Sequence, residues 1–286
     1  MAIVYLNGDW LEAEEARIPI SDRGFLLGDG VFETARLHQG RYFRLTEHLN
    51  RLAASAEFLR LNVPAPGELV RVAEELARAN QASEASLRIT VTRGSGGRGL
   101  GRRGAGPPTV LAVLNTLPED WIDRAARGWT LRTSSFRRPP ATSVPAQLKG
   151  LGRAYALLAH FEAEDAGFDD ALLLSSDGYV AEGPTWNLFW CAGSTLFTPS
   201  LESGILAGVT RALIVDLARR AGLSVEEGLF NRERLDGADE VFATMTSNGI
   251  VPVRRLDARS LPSGPIAAQL QMAYWEQVQQ ELFAEE

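Results

Sequence analysis

The sequence predicts a two-domain chain of mixed α/β (α+β) class, and three observations predict it. At 286 residues with 45% hydrophobic content, the chain is long enough for more than one core. Alternating β-branched segments interleave with segments of helical apolar spacing along the whole length. The stretch LPEDWIDRAARG interrupts that alternation once. A small N-terminal α/β domain is therefore expected at 1–117, a linker at 118–128 and a larger C-terminal domain at 129–286.

The elements follow in order. IVYL-NGDW reads as a strand and hairpin turn, because Asn-Gly supplies the positive φ such turns need. VFETARL, HQG and RYFRL make a second hairpin. Leu49, Leu52, Ala53, Ala56 and Leu59 fall at helical spacing, with Thr46 as N-cap. Glu68 to Arg78 is another helix, and SLRITVTRG and PTVLAVLNT are strands. Beyond the linker come a strand at Trp129 to Ser134, a helix at Leu151 to Ala166 and a strand pair around SSDG, from Asp170 to Glu182. Short strands at Asn187 to Trp190 and Ser194 to Thr198 precede a helix at Gly208 to Ala221 and a strand at Glu240 to Thr244. An amphipathic helix, Ile266 to Leu282, comes last.

Composition narrows the function. Charged residues make up 23% of the chain and the net charge is −7, which argues against nucleic acid as a partner. The start, MAIVYLNGDW, lacks the basic and apolar regions of a signal peptide, and no run is long enough to cross a bilayer, so no membrane partner and a cytoplasmic location are expected. Cys191 is the single cysteine and sits in an apolar run, where it reads as a core thiol. His38, His48 and His160 are too scattered to propose a metal site.

The stretch PAQLKGLGRAY holds the only lysine, Lys149, among 29 basic residues. A guanidinium replaces a surface ammonium in most roles, but it cannot act as an amine toward a carbonyl. A lone lysine among arginines is a candidate for covalent amine chemistry, and a lysine of that kind is most often paired with pyridoxal 5′-phosphate. That cofactor asks for an acid at its ring nitrogen and donors for its phosphate. Glu182, at the end of an apolar strand in DGYVAEGPTW, is the acid candidate. Gly208, Val209 and Thr210 open a helix, where N–H groups and the dipole attract phosphate, and Thr246 and Ser247 follow a strand end. A rival reading takes Gly94 to Gly99 as a dinucleotide fingerprint with Glu119 as its acid. The next stretch, LGRRGAGPP, cannot open the helix that this motif needs.

These residues resemble the fold-type IV pyridoxal-phosphate enzymes, a family that includes branched-chain and D-amino-acid aminotransferases, (R)-amine transaminases and aminodeoxychorismate lyase. The resemblance runs nearly end to end, through SDRGFLLGDGVFETAR, HLNRLAASAEFL, LKGLGRAYALLAHFEAEDAGFDDALLL, DGYVAEGPTWNLF, GILAGVTR and ADEVFATMTSNGIVPV. It implies a homodimer with the cofactor in the interdomain cleft and a larger C-terminal domain that binds it. It implies Lys149 as the Schiff-base lysine and proton carrier, Glu182 on the ring nitrogen and Arg51 on the phosphate. Val209, Thr210 and Thr246 are implied as further phosphate contacts, with Gly208 and Ser247 beside them. Phe32 and Glu33 fall where the family lines its substrate pocket, Arg98 falls on its carboxylate-binding loop, and Trp186, close to Glu182 in sequence, is a further pocket candidate.

Three positions depart from the family. Gly152 stands where many relatives have asparagine, and Arg153 where branched-chain enzymes place a tyrosine. Arg98-Gly99-Leu100 keeps the arginine but not the histidine of the D-amino-acid enzymes. The expected activity is amino transfer between an amino donor and a 2-oxo acid, with D-amino acids or (R)-amines favoured over branched-chain L-amino acids. The loop RGSGGRG and the segment LKGLGR resemble the lyase, so 4-aminobenzoate and pyruvate formation is the alternative.

Overall fold

A computed structural model describes residues 2–97, 99–117, 126–262 and 264–284. The chain divides into two units. The first holds Met1–Leu117 and also Leu148–Gly152, and the second holds Pro118–Gln147 and Arg153–Glu286. The expected linker falls largely on 118–125, outside the described residues. The stretch 129–286 does not form one unbroken domain, because Leu148–Gly152 groups with the first unit.

The first unit is built on strands β1 (Ile3–Leu6), β2 (Asp9–Glu12), β3 (Gly30–His38), β4 (Arg41–Phe43), β5 (Ala85–Thr92) and β6 (Thr109–Asn115), in the order β2-β1-β6-β5-β3-β4. Every neighbouring pair among them is antiparallel. Two hairpins close with two-residue turns at positive φ: Asn7 and Gly8 at 55° and 105°, Gln39 and Gly40 at 48° and 79°. Those turns match the right-handed twist of the strands they join. Strand periodicity aims Val31, Ala35, Leu87, Ile89 and Val91 at one face, where they pack with Leu49 and Leu52 of helix Leu45–Leu59 and Leu69 and Leu76 of helix Pro66–Ala79. The first of these helices starts one residue before the expected cap. Arg44, in the left-handed region at φ 51°, precedes it, and Thr46 lies inside the first turn.

The second unit carries β7 (Trp129–Arg137), β8 (Asp170–Leu174), β9 (Asn187–Ala192), β10 (Thr195–Pro199), β11 (Ser224–Gly228), β12 (Glu240–Met245), β13 (Gly249–Leu256) and β14 (Arg259–Ser260). Among the described residues they form one sheet, ordered β11-β10-β9-β12-β13-β7-β8, with β14 on β13. Helix Ala154–Asp165 joins the parallel pair β7 and β8, and helix Val209–Arg220 joins the parallel pair β10 and β11. Trp190 stacks on Phe197 with ring centroids 5.6 Å apart, inside a core that includes Leu131, Leu172, Val241 and Val251. The expected strand pair around SSDG is reduced on its second side to a bridge between Leu174 and Val180. The final helix, Pro265–Phe283, agrees with its expected span to within one residue at each end.

Candidate functional site

Lys149 lies in an extended segment, not in a helix. Phe32 N–H donates to Lys149 O at 3.1 Å, and Leu151 N–H donates to Gly30 O at 3.1 Å. A bridge pairs Val31 with Gly150, so the segment runs antiparallel beside β3. Lys149 N–H donates in turn to Ser55 Oγ at 3.2 Å, which ties the segment to helix Leu45–Leu59. Glycine is required on the opposing turn: a Cβ on Gly28, at φ 67°, would lie 3.2 Å from Gly152 N. The amine is therefore carried on backbone held from two sides. Its Nζ sits 4.8 Å from the centroid of the Phe32 ring, and Arg88 Cζ lies 3.9 Å from the same centroid.

Beside Phe32, Glu33 is buried at 2% exposure. Arg51 grips it with both arms, Nε to Oε1 at 2.6 Å and Nη2 to Oε2 at 2.9 Å. Thr34 N–H donates to Oε2 at 3.1 Å, and His48 Nδ1 lies 3.0 Å from the same oxygen. Burial alone would raise the Glu33 carboxyl, but hydrogen bonds from His48 and Arg51 and the charges of Arg51 and Lys149 bring it down to about 2. An ionised carboxylate only accepts, so His48 Nδ1 carries the proton and donates it. The 3.4 Å approach of Arg51 Nη2 to His48 Nδ1 is then a contact between two donors. Burial holds His48 below the usual imidazole range, so it is neutral at physiological pH. His48 and Arg51 are three residues apart on one helix face, and that spacing is the sequence signal that links them.

On the second unit, Glu182 is the centre of a similar grip. Arg138 Nε pairs with Oε1 at 3.0 Å, and Asn187 Nδ2 and Leu206 N–H both donate to Oε2 at 3.0 Å. Arg138 also donates from Nε to Gly204 O at 2.7 Å and from Nη1 to the Tyr155 hydroxyl. Asn187, the first residue of β9, is a hub that sequence reasoning missed. It donates to Leu206 O as well, at 3.0 Å, and a Cβ on Gly208 would meet its Oδ1 at 2.0 Å. Gly208 is thus the residue that lets the start of helix Val209–Arg220 approach Asn187. No side chain caps that helix start. The register pairs Asn187 with Thr244, which puts Thr246 and Ser247 in the turn just beyond the same end of the sheet. Glu182, Gly208, Val209, Thr210, Thr246 and Ser247 are in this way gathered by β9 and β12, and Arg138 and Asn187 are added to them.

Other expectations fare differently. Trp186 is 3% exposed and lies in the hydrophobic core, where its indole N–H donates to Asp170 Oδ2 at 2.8 Å. Its ring crosses Gly183 so closely that a Cβ there would sit 1.9 Å from Cε2, so it packs inward and does not face an open surface. Arg98 lies outside the described residues. Arg153, at the position of the missing tyrosine, donates from Nη2 to Pro184 O. Burial pushes the Cys191 thiol up to about 12, so it is no nucleophile. Among the described residues no group of His, Cys, Asp or Glu is arranged to hold a metal ion, and no helix is long and apolar enough to cross a membrane.

The donor chemistry suits pyridoxal 5′-phosphate. There is a single side-chain amine on fixed backbone, a buried carboxylate that accepts from Arg138, Asn187 and the Leu206 N–H, and hydroxyls and N–H groups at an uncapped helix start. Comparison with known proteins gives a consistent picture. The family described as amino-transferase class IV matches residues 30–256. Over 257 residues the chain is 37% identical to a putative branched-chain-amino-acid aminotransferase of Methanocaldococcus jannaschii, covering 90% of this chain and 88% of that one. Over 281 residues it is 31% identical to aminodeoxychorismate lyase of Bacillus subtilis, covering 96% and 94%. The solved T.th. branched-chain amino acid aminotransferase with pyridoxamine 5′-phosphate superposes with a TM-score of 0.90 at 32% identity, covering 97% of this chain and 94% of that one.

Proposed function

The chain belongs to the amino-transferase class IV family, has its fold-type IV architecture and takes pyridoxal 5′-phosphate as cofactor, and from that premise we propose that it transfers the amino group of a branched-chain L-amino acid to a 2-oxo acid. The observation that carries the reading is the placement of the chain's one lysine on a backbone segment hydrogen-bonded to Gly30, Phe32 and Ser55. The choice of donor follows the 37% identity to the putative branched-chain enzyme, and it replaces the preference for D-amino acids or (R)-amines drawn from the sequence.

When bound, the cofactor supplies an aldehyde for amines and a ring that spreads the negative charge left when the α-proton departs. Lys149 would hold it covalently, take the proton from the substrate α-carbon and return it during transfer. Glu182, steered by Arg138, Asn187 and Leu206, would hold the proton on the ring nitrogen. Arg51, Thr210 and Thr246 would hold the phosphate through charge and hydroxyl groups, and Gly208, Val209 and Ser247 through backbone N–H groups. Phe32 and Arg88 would face the substrate, the guanidinium being suited to a carboxylate.

The test is the visible spectrum of the purified protein with excess L-leucine, D-alanine or (R)-1-phenylethylamine in separate cuvettes. Bleaching by L-leucine alone is expected. Bleaching by D-alanine or the amine alone would overturn the choice of donor. A second reading, elimination of pyruvate from aminodeoxychorismate, is favoured by the 31% identity to the lyase across 96% of the chain. It would be adopted if no donor bleached the protein and that substrate gave pyruvate and 4-aminobenzoate.

A cytoplasmic homodimer is part of the same proposal. Ile20, Phe25, Leu26 and Leu27 of the first unit are 86%, 76%, 57% and 46% exposed, the kind of apolar surface that a second copy covers. Light scattering at micromolar concentration is expected to give twice the 31.1 kDa chain mass, and a monomer mass would remove the dimer.

A further inference from the structure

The geometry points to Glu33 as a positioning residue that fixes the Arg51 guanidinium for the cofactor phosphate, and not as a residue that lines a substrate pocket. The inference rests on the phosphate role proposed for Arg51. Both Glu33 oxygens are committed: Oε1 accepts from Arg51 Nε, and Oε2 accepts from Arg51 Nη2, His48 Nδ1 and Thr34 N–H. Its side chain is 2% exposed, which leaves no face for a substrate.

A two-point carboxylate grip locks the plane of a guanidinium, because two parallel bonds forbid rotation about either one. The carboxylate is itself locked. The Thr34 N–H belongs to its own strand, and His48 sits one helical turn before Arg51 and meets the same oxygen. Four atoms from strand and helix thereby dictate where Arg51 points. A buried ion pair is poor value for stability alone, since apolar side chains of similar volume serve a core at least as well. An apolar trio at 33, 48 and 51 would continue the surrounding core of Leu49, Leu52, Leu87 and Ile89. The charged set is explained by what it orients.

The alternative is that Glu33 only offsets the Arg51 charge, and the two roles predict opposite signs. If the carboxylate merely neutralises, removing it exposes the full charge of Arg51 and phosphate binding tightens. If it positions, removing it frees a long side chain to wander and phosphate binding weakens.

The experiment compares pyridoxal phosphate with pyridoxal, which lacks the phosphate, on wild type and Glu33→Gln. Affinity is read from the visible band formed at Lys149, the only lysine present. Positioning predicts that the variant loses about tenfold in affinity for the phosphorylated aldehyde while pyridoxal changes by less than about twofold. An unchanged preference for the phosphorylated form, or a stronger one, overturns the inference. Should far-UV circular dichroism show that Glu33→Gln does not fold, Glu33→Asp keeps the charge but withdraws it by one methylene. The preference must still fall in that variant, and if it holds, the inference fails. A wild-type protein that took up neither aldehyde would overturn the proposed function and this inference together. A wild type that takes up both, with an unchanged preference in the variants, overturns this inference alone.

Discussion

Lys149→Arg is expected to fold normally and to lose at least about 10^4-fold in turnover, the upper end of what a positioned general base supplies by itself. The variant keeps a cation beside Phe32 and near the Glu33 cluster, so the local charge balance is preserved. It keeps the backbone bonds to Gly30, Phe32 and Ser55, which no side chain at 149 makes. What it removes is the one side-chain amine of the chain. A guanidinium neither bonds to the aldehyde nor gives up a proton at working pH, so both proposed duties vanish together. Borohydride treatment of the wild type with cofactor should reduce the imine and leave one phosphopyridoxyl group, the cofactor mass less one oxygen, on the Lys149 peptide and nothing on the variant. Normal turnover in Lys149→Arg would end the covalent assignment.

Glu182→Gln is expected to lower kcat by roughly 10^2–10^3-fold, within the range of a lost acid–base group. The side chain is 4% exposed and receives Arg138, Asn187 and Leu206, all as donors. An amide of the same shape brings its own donors to that meeting. One of them must oppose a partner, and the ring nitrogen would lose the anionic companion proposed for it. Leaving one buried donor unmet costs about 1–3 kcal/mol, so the melting temperature should fall modestly while activity falls steeply. Glu182→Ala should destabilise more, by about 3–5 kcal/mol, because the Arg138 charge then has no carboxylate opposite it. Equal kcat in wild type and Glu182→Gln would place the ring nitrogen elsewhere.

The sequence was legible where the determining contacts are close along the chain. Asn7-Gly8 announces its hairpin because the turn needs positive φ at both positions. The apolar spacing of Leu49, Leu52 and Ala56 announces a helix, and the alternation in Ala85–Thr92 announces a strand, because each pattern is one face of one element. It was least legible where partners are distant. The helix expected from Leu151 begins at Ala154, since the preceding residues pair with Gly30 to Phe32, more than a hundred positions upstream. Arg138 looks like one more arginine in FRRPP until the fold sets it on Glu182. Glu33 stands out in the sequence beside Phe32, but its partners come from the helix that follows, so its commitment to Arg51 could not be read from the strand alone.

The excursion of Leu148–Gly152 into the first unit has a consequence for inheritance. Two relatives recombined at Leu117 would give a hybrid whose amine comes from one parent and whose bed for that amine comes from the other. Most of the seam is main chain meeting main chain, Gly30 and Phe32 against Lys149 and Leu151, and such bonds are indifferent to ancestry. Side-chain contacts are not, among them the Ser55 hydroxyl that receives the Lys149 N–H, the Phe32 ring beneath the ammonium and the bare Gly28 that lets Gly152 approach. Those residues must travel with the pentapeptide, so the heritable module here is a scattered set of positions and not a contiguous stretch of gene.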